Sequence, residues 1–190
     1  AFPDAGYVVM RSDHDHAVLD AGAHGYLNGG HAHADALSLT LSIGGRPLLI
    51  DPGTATYTMD PQLRDRMRGS LNHNTVCLGG IPQSIPAGPF HWSTAADACL
   101  QASRHNACFD WVEATHNGYA PVQHRRSVMR ADGSGWLLVD EIRGTDVGND
   151  RDAIHSAASH WHFHPGWMLR DEGMGVLLAT HLEGAEAWLL

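Results

Sequence analysis

The chain has 190 residues, 43% of them apolar, enough to bury a core, and its formal charge of -9 disfavours general nucleic-acid binding, which needs surplus Lys and Arg on some face. No run of about 18 apolar residues occurs, which excludes a membrane-spanning helix, and the opening AFPDAGYVVM lacks the charged start and apolar stretch of a signal peptide. Cys77, Cys99 and Cys108 show no CxxC spacing and leave at least one thiol unpaired, which argues against a disulfide framework or a thiolate metal site.

In chain order, short apolar and β-branched runs separated by Gly, Pro, Asp or Asn predict strands. They begin with YVVMRS, HAVLDAG, ALSLTLSI and RPLLIDPG, continue through NTVCLGG, CFDWVEATH, HRRSVMR and GWLLVDEIRG, and end with SHWHFHP and GVLLATHLEG. DHDH at 13–16, Gly44-Gly45 and Asp132-Gly133 fall where hairpin turns belong. PQLRDRMRG at 61–69 is the best helix candidate, at about two turns, and GTDVGNDRDA at 144–153 reads as a mobile loop. The pattern predicts one all-β domain over residues 1–190, an antiparallel β-sandwich with no substantial helix, its leucine-lined sheet faces buried against each other.

GHAHADALSLTL at 30–41 poses the central question. In an unbroken strand His31, His33 and Asp35 share the face of Leu37, Leu39, Leu41 and Ile43, so polar groups there need partners. The 15 histidines make an HxH pair weak evidence alone: chance gives roughly one, and pairs occur at 14/16, 31/33, 160/162 and 162/164. The 31/33 pair has company, because Asp51 closes LLIDPGT and His73 sits in LNHNTV. Two imidazoles and a carboxylate suit a zinc-type ion with a fourth position for water; hydrogen-bonded strand-end residues explain the same pattern. A two-residue turn at Gly44-Gly45 sets Asp51 opposite Ser38, about 17 Å along the strand from His33, so a bend or bulge near Ala34-Asp35, or a crossing from the other sheet, is needed.

DAGYVVMRS, GHAHADALSLTL, GGRPLLIDPGTATY, LNHNTV, HNGYAP and HRRSVMR together resemble the heparinase II/III-like polysaccharide lyases, which include alginate and heparin or heparan sulfate lyases. The order HAHAD, DPGT-x-x-Y, HNT carries the likeness, and it covers the β-sandwich that in the family follows an (α/α) toroid; no part of this chain resembles the toroid. The resemblance implies that His33, Asp51 and His73 hold one structural Zn2+ and that His31 reaches into the cleft between domains. The implied chemistry is β-elimination on a uronic-acid polysaccharide, with His31 neutralising the substrate carboxylate and the acid and base residues belonging to the toroid. It also implies an anionic polysaccharide and the toroid as partners, and a periplasmic or secreted setting. Asp35 receives no role.

Tyr57, Arg64, Arg66 and Arg68 lie between the second and third ligands, where substrate-facing residues are expected, and an arginine fork suits uronate or sulfate. A solvated loop and a packing tyrosine are the simpler accounts of the same residues. His160, His162 and His164 read as an exposed or cleft-lining strand. Two other functions compete: a non-catalytic carbohydrate-binding or scaffold module that keeps fold and metal, and a cupin-like metal oxygenase, which wants a Glu just beyond the HxH pair that this sequence does not show.

Overall fold

The structure, a computed structural model, describes residues 2, 4–133, 135–144 and 156–190, so most of the loop expected at 144–153 lies outside the described residues. The first sheet has the order β1 (Tyr7–Arg11), β2 (His16–Asp20), β3 (Leu39–Ile43), β4 (Arg46–Leu49), antiparallel throughout. After β4 come a helix, α1 (Pro61–Met67), a 3-10 turn (Ser70–Asn72), β5 (Val76–Leu78) and the hairpin β6 (Ile85–Gly88) with β7 (His91–Thr94). The second large sheet runs β11 (Gly135–Arg143), β10 (Gln123–Ala131), β9 (Phe109–His116), β8 (Ala98–His105). β12 (Ala157–Ser159) pairs with β5, and β13 (Trp167–Gly173), β14 (Val176–His181) and β15 (Glu186–Leu189) form a last antiparallel sheet.

The expected sandwich is present. Leu19, Leu39, Leu41 and Leu48 of the first sheet share one core with Val112, Ala114 and Val128 of the second and with Trp167 and Ala179 of the last. Each leucine or valine removed from water there contributes about 1.5–3 kcal/mol. α1 starts as its sequence dictates: Asp60 Oδ1 accepts from the Leu63 N–H at 2.9 Å and Pro61 occupies the first turn. No helix among the described residues is long and apolar enough to cross a membrane.

Strand alternation breaks where the sequence most invites it. HAHAD is not strand: β3 begins at Leu39, and Leu37 sits at φ 61, a left-handed conformation costly for a non-glycine residue. That turn uncouples His31, His33 and Asp35 from the leucine face, correcting the shared parity expected of an unbroken strand. Strands β6, β7, β8, β13 and β15 escape hydropathy reading because most of their residues are exposed or half-buried. SHWHFHP, expected as a strand, is extended chain bound along β4: Ile50 N–H donates to His162 O and His164 N–H to Leu48 O, both at 2.9 Å.

β10 turns polar residues inward. His124, Arg126 and Arg130 alternate with half-buried neighbours, and Arg126 is fully buried. Its Nε and Nη2 grip the two Asp140 oxygens at 2.7 and 2.9 Å, while Nη1 donates to the carbonyls of Leu37 (2.7 Å) and Asn74 (2.6 Å). The network fixes proton positions. Gly118 N–H donates to His116 Nδ1 at 3.1 Å, so His116 Nε2 carries the proton and donates to His124 Nδ1 at 3.0 Å; His124 Nε2 then donates to Asp140 Oδ1 at 2.8 Å.

Candidate metal centre and cleft

Three segments converge through Asn74, a fully buried side chain. Its Nδ2 donates to the carbonyls of Leu39 and Ile50, both at 2.9 Å, and its Oδ1 accepts from His162 N–H at 2.7 Å. Its own N–H reaches Ser38 Oγ at 3.2 Å. The limb carrying His33 is fixed independently, by Ala34 N–H to Arg68 O (2.8 Å) and by Ser70 Oγ–H to Ala34 O (2.7 Å). Strand pairing alone does not build the site: the Leu37 turn redirects one limb and a bulge at Leu41/Ser42 shifts β4 against β3.

The result brings one donor atom each from His33, Asp51 and His73 within 4.8 Å of one another. Tetrahedral zinc holds ligands at about 2.0–2.1 Å, hence roughly 3.4 Å apart, so closure on the order of 1 Å completes the set. The His33 and His73 rings stack with centroids 5.1 Å apart, and His73 Nδ1 lies 2.7 Å from Asp51 Oδ2. Two of the three donors are held in the form a cation needs. Burial, helped by the charge of His73, lowers His33 to about 4, so its ring is neutral near pH 7. Burial alone raises Asp51, but the hydrogen bond and charge of His73 outweigh it and hold the carboxyl below its usual range. Burial lowers His73, and the Asp51 hydrogen bond with the Asp35 and Asp51 charges more than reverses that. His73 Nε2 is buried with no partner, a polar atom that hydrogen bonding within the chain leaves unsatisfied. Nitrogen, oxygen and nitrogen donors are the set a zinc-type ion takes, with the proton that the neighbouring carboxylates favour on His73 given up on binding.

His31, two residues before His33, is exposed. Its Nδ1 meets Tyr57 Oη at 3.3 Å, and Phe90 packs beside both, its ring stacked on Tyr57 at 5.7 Å and edge-on to His31 at 5.9 Å. Phe90 was invisible to motif reading because it sits in the β6–β7 turn, joined to this corner by Asn28 Nδ2–H to Phe90 O at 3.3 Å. Two of the three arginines are turned inward: Arg64 and Arg68 are 4% and 0% exposed. Arg64 forks onto Asp65 and donates to Tyr57 O at 2.8 Å, while Arg68 donates to Asp65 and to the carbonyls of Gly88 and Pro89, tying α1 to the β6–β7 turn. Arg66 is the exposed member of the three.

A cleft of about 1170 Å³ opens beside His31 and His33, lined also by Tyr7, Asp20, His24 and Phe90. Burial, with the Asp35 charge, raises the Asp20 carboxyl to about 7. His160, His162 and His164 are half-buried, and none joins the donor set of His33, Asp51 and His73.

A family model described as heparinase II/III-like, C-terminal, matches residues 1–190. Solved structures share the fold. Heparan sulfate lyase HepC from Pedobacter heparinus superposes with TM-score 0.77 at 22% identity, over 98% of this chain and 27% of that one. The heparinase III-BT4657 gene product gives 0.76 at 21%, over 98% and 27%, and another heparinase III gives 0.73 at 21%, over 96% and 27%. The chain thus spans about a quarter of the length of these structures. No curated protein matches it.

Proposed function

The chain belongs to the heparinase II/III-like, C-terminal family, and from that premise we propose that it is the zinc-bearing sandwich of a polysaccharide lyase that cleaves uronic-acid-containing polymer by β-elimination outside the cytoplasm. The observation that carries this reading is the convergence of His33, Asp51 and His73 on one point beside an exposed His31. His33, Asp51 and His73 hold one structural Zn2+ per chain, which when bound braces three segments through its ligand bonds. The rest of the chemistry falls to side chains.

In β-elimination a base takes the C5 proton, the electron pair forms the C4–C5 double bond, and the C4–O4 bond breaks with O4 taking a proton. Charge builds on a carboxylate that is already anionic, so a donor aimed at it acts mainly in the transition state. His31 fits that task. With Tyr57 Oη–H donating to Nδ1, the neutral ring carries its proton on Nε2 and offers it toward the cleft. Tyr57 thereby orients His31, and Arg66, rather than Arg64 or Arg68, is the guanidinium free to meet an anionic sugar. The base and the acid come from a partner N-terminal domain of the same protein.

The test uses metal content and turnover together. Chain purified without added metal carries about one zinc, lost in His33→Ala. In the full-length protein His31→Ala keeps the metal and lowers kcat by about 10²–10³-fold, read as ultraviolet absorbance of unsaturated product. A metal-bound wild type that binds glycan without elimination would establish the scaffold module instead.

A further inference from the structure

We propose that Arg126, some way behind the ligands, is the positioning residue that sets the geometry of the His33–Asp51–His73 centre. The inference rests on the metal reading above. Two of the three ligands sit on limbs whose backbones end at this guanidinium. Leu37 O, four residues after His33, and Asn74 O, one residue after His73, both accept from Arg126 Nη1, at 2.7 and 2.6 Å.

Each carbonyl is a sensitive point. Leu37 holds the left-handed turn, φ 61, that swings the HAHAD limb off the strand, and a non-glycine residue keeps that conformation only where surrounding contacts over-determine it. Arg126 on its carbonyl and Asp20 O on its N–H (2.9 Å) are those contacts. Asn74 gathers β3, the Asp51 segment and the His162 segment with its side chain, and Arg126 fixes its main chain. One rigid planar fork therefore joins the two histidine limbs, adding to the Arg68 and Ser70 bonds at Ala34.

The fork itself has little freedom. Asp140 grips it through two oxygens, Trp161 lies beneath it with its ring centroid 5.2 Å from the guanidinium carbon, and the residue is wholly buried. Lysine cannot reproduce this arrangement, because an ammonium lacks the planar spread needed to reach a carboxylate and two carbonyls at once.

The experiment measures Zn2+ affinity of the 190-residue chain by competition with a chromophoric chelator, and the ligand-field spectrum of the Co2+ form. Arg126→Lys keeps a cation beside Asp140 and is expected to weaken zinc about 10–100-fold and to alter the cobalt bands. Val128→Ala, two residues along β10 on the same inward face and buried at 1% exposure, is the stability control: it lowers Tm without touching either carbonyl and leaves affinity within about twofold. Should Arg126→Lys not fold, Asp140→Asn loosens the fork while leaving Arg126 in place, and a loss of about 3–10-fold is expected. Wild-type affinity in the arginine variant, or in Asp140→Asn where that variant stands in for it, overturns the proposal, as does an equal loss in Val128→Ala. A wild-type chain that binds neither metal fails at the earlier step and takes the underlying metal reading with it.

Discussion

Asp140 and Asp51 each lie against a fully buried histidine, His124 at 2.8 Å and His73 at 2.7 Å, yet the two carboxylates belong to different kinds of cluster. Around Asp140 the protons form a closed series: His116 donates to His124, His124 to Asp140, and Arg126 fills both carboxylate oxygens. Around Asp51 the series stays open, because His73 Nε2 has no partner, His33 is neutral, and the carboxylate side chain remains 29% exposed. A closed polar cluster inside a sandwich fixes architecture. An open one, with a buried nitrogen left unpartnered beside a carboxylate still partly exposed, is where a ligand belongs.

Removing the carboxylate from each cluster should therefore give opposite results, and this is the largest effect expected. Asp140→Ala strands a wholly buried guanidinium and should cost about 3–5 kcal/mol in urea unfolding with chelator present. Asp51→Ala removes the partner that favours charge on His73, leaves a histidine that can stay neutral, and should cost under about 1 kcal/mol under the same conditions. Equal losses would erase the distinction. With metal supplied at about 100 times its Kd, wild type should gain about 2.7 kcal/mol and Asp51→Ala none, measured by the same unfolding curves.

The same contrast explains what could be read from the sequence. The sandwich was legible because Leu19, Leu39, Leu41 and Leu48 alternate on strands separated by turn residues. The donors were legible as residue types and motif order, since the likeness of HAHAD, DPGT and HNT to a family gave His33, Asp51 and His73 before any geometry did. Their convergence was not, because it depends on the left-handed Leu37, a bulge, and Asn74 bonding across three segments, none of which leaves a local signature. The arginines show the converse case. A charge run beside a site suggests a ligand fork, and nothing local says that Arg68 will be consumed by Gly88 and Pro89 carbonyls about 20 residues on. β10 is opaque for the same reason: both faces of HRRSVMR carry polar residues, so hydropathy does not tell that His124, Arg126 and Arg130 are buried with Val128.

A smaller effect sharpens the comparison through pH. His116 faces His124, Arg126 and Asp140, with Tyr119 edge-on, and burial, reinforced by its neighbours His124 and Arg126, pushes its ring down to about 3. Its folded value is depressed, so the unfolded chain takes up a proton near pH 6.5 while the folded chain does not. Stability from this residue is whole above about pH 6.5 and drains away as pH falls toward about 3. Between pH 6.5 and 5.5 the loss should be about 1 kcal/mol in chelator, measured by urea unfolding. His116→Gln, which cannot titrate, should start less stable and lose that much less over the same interval. An unchanged slope in the variant would mean that the closed cluster does not exclude protons, and the property that sets it apart from the Asp51 centre would be gone.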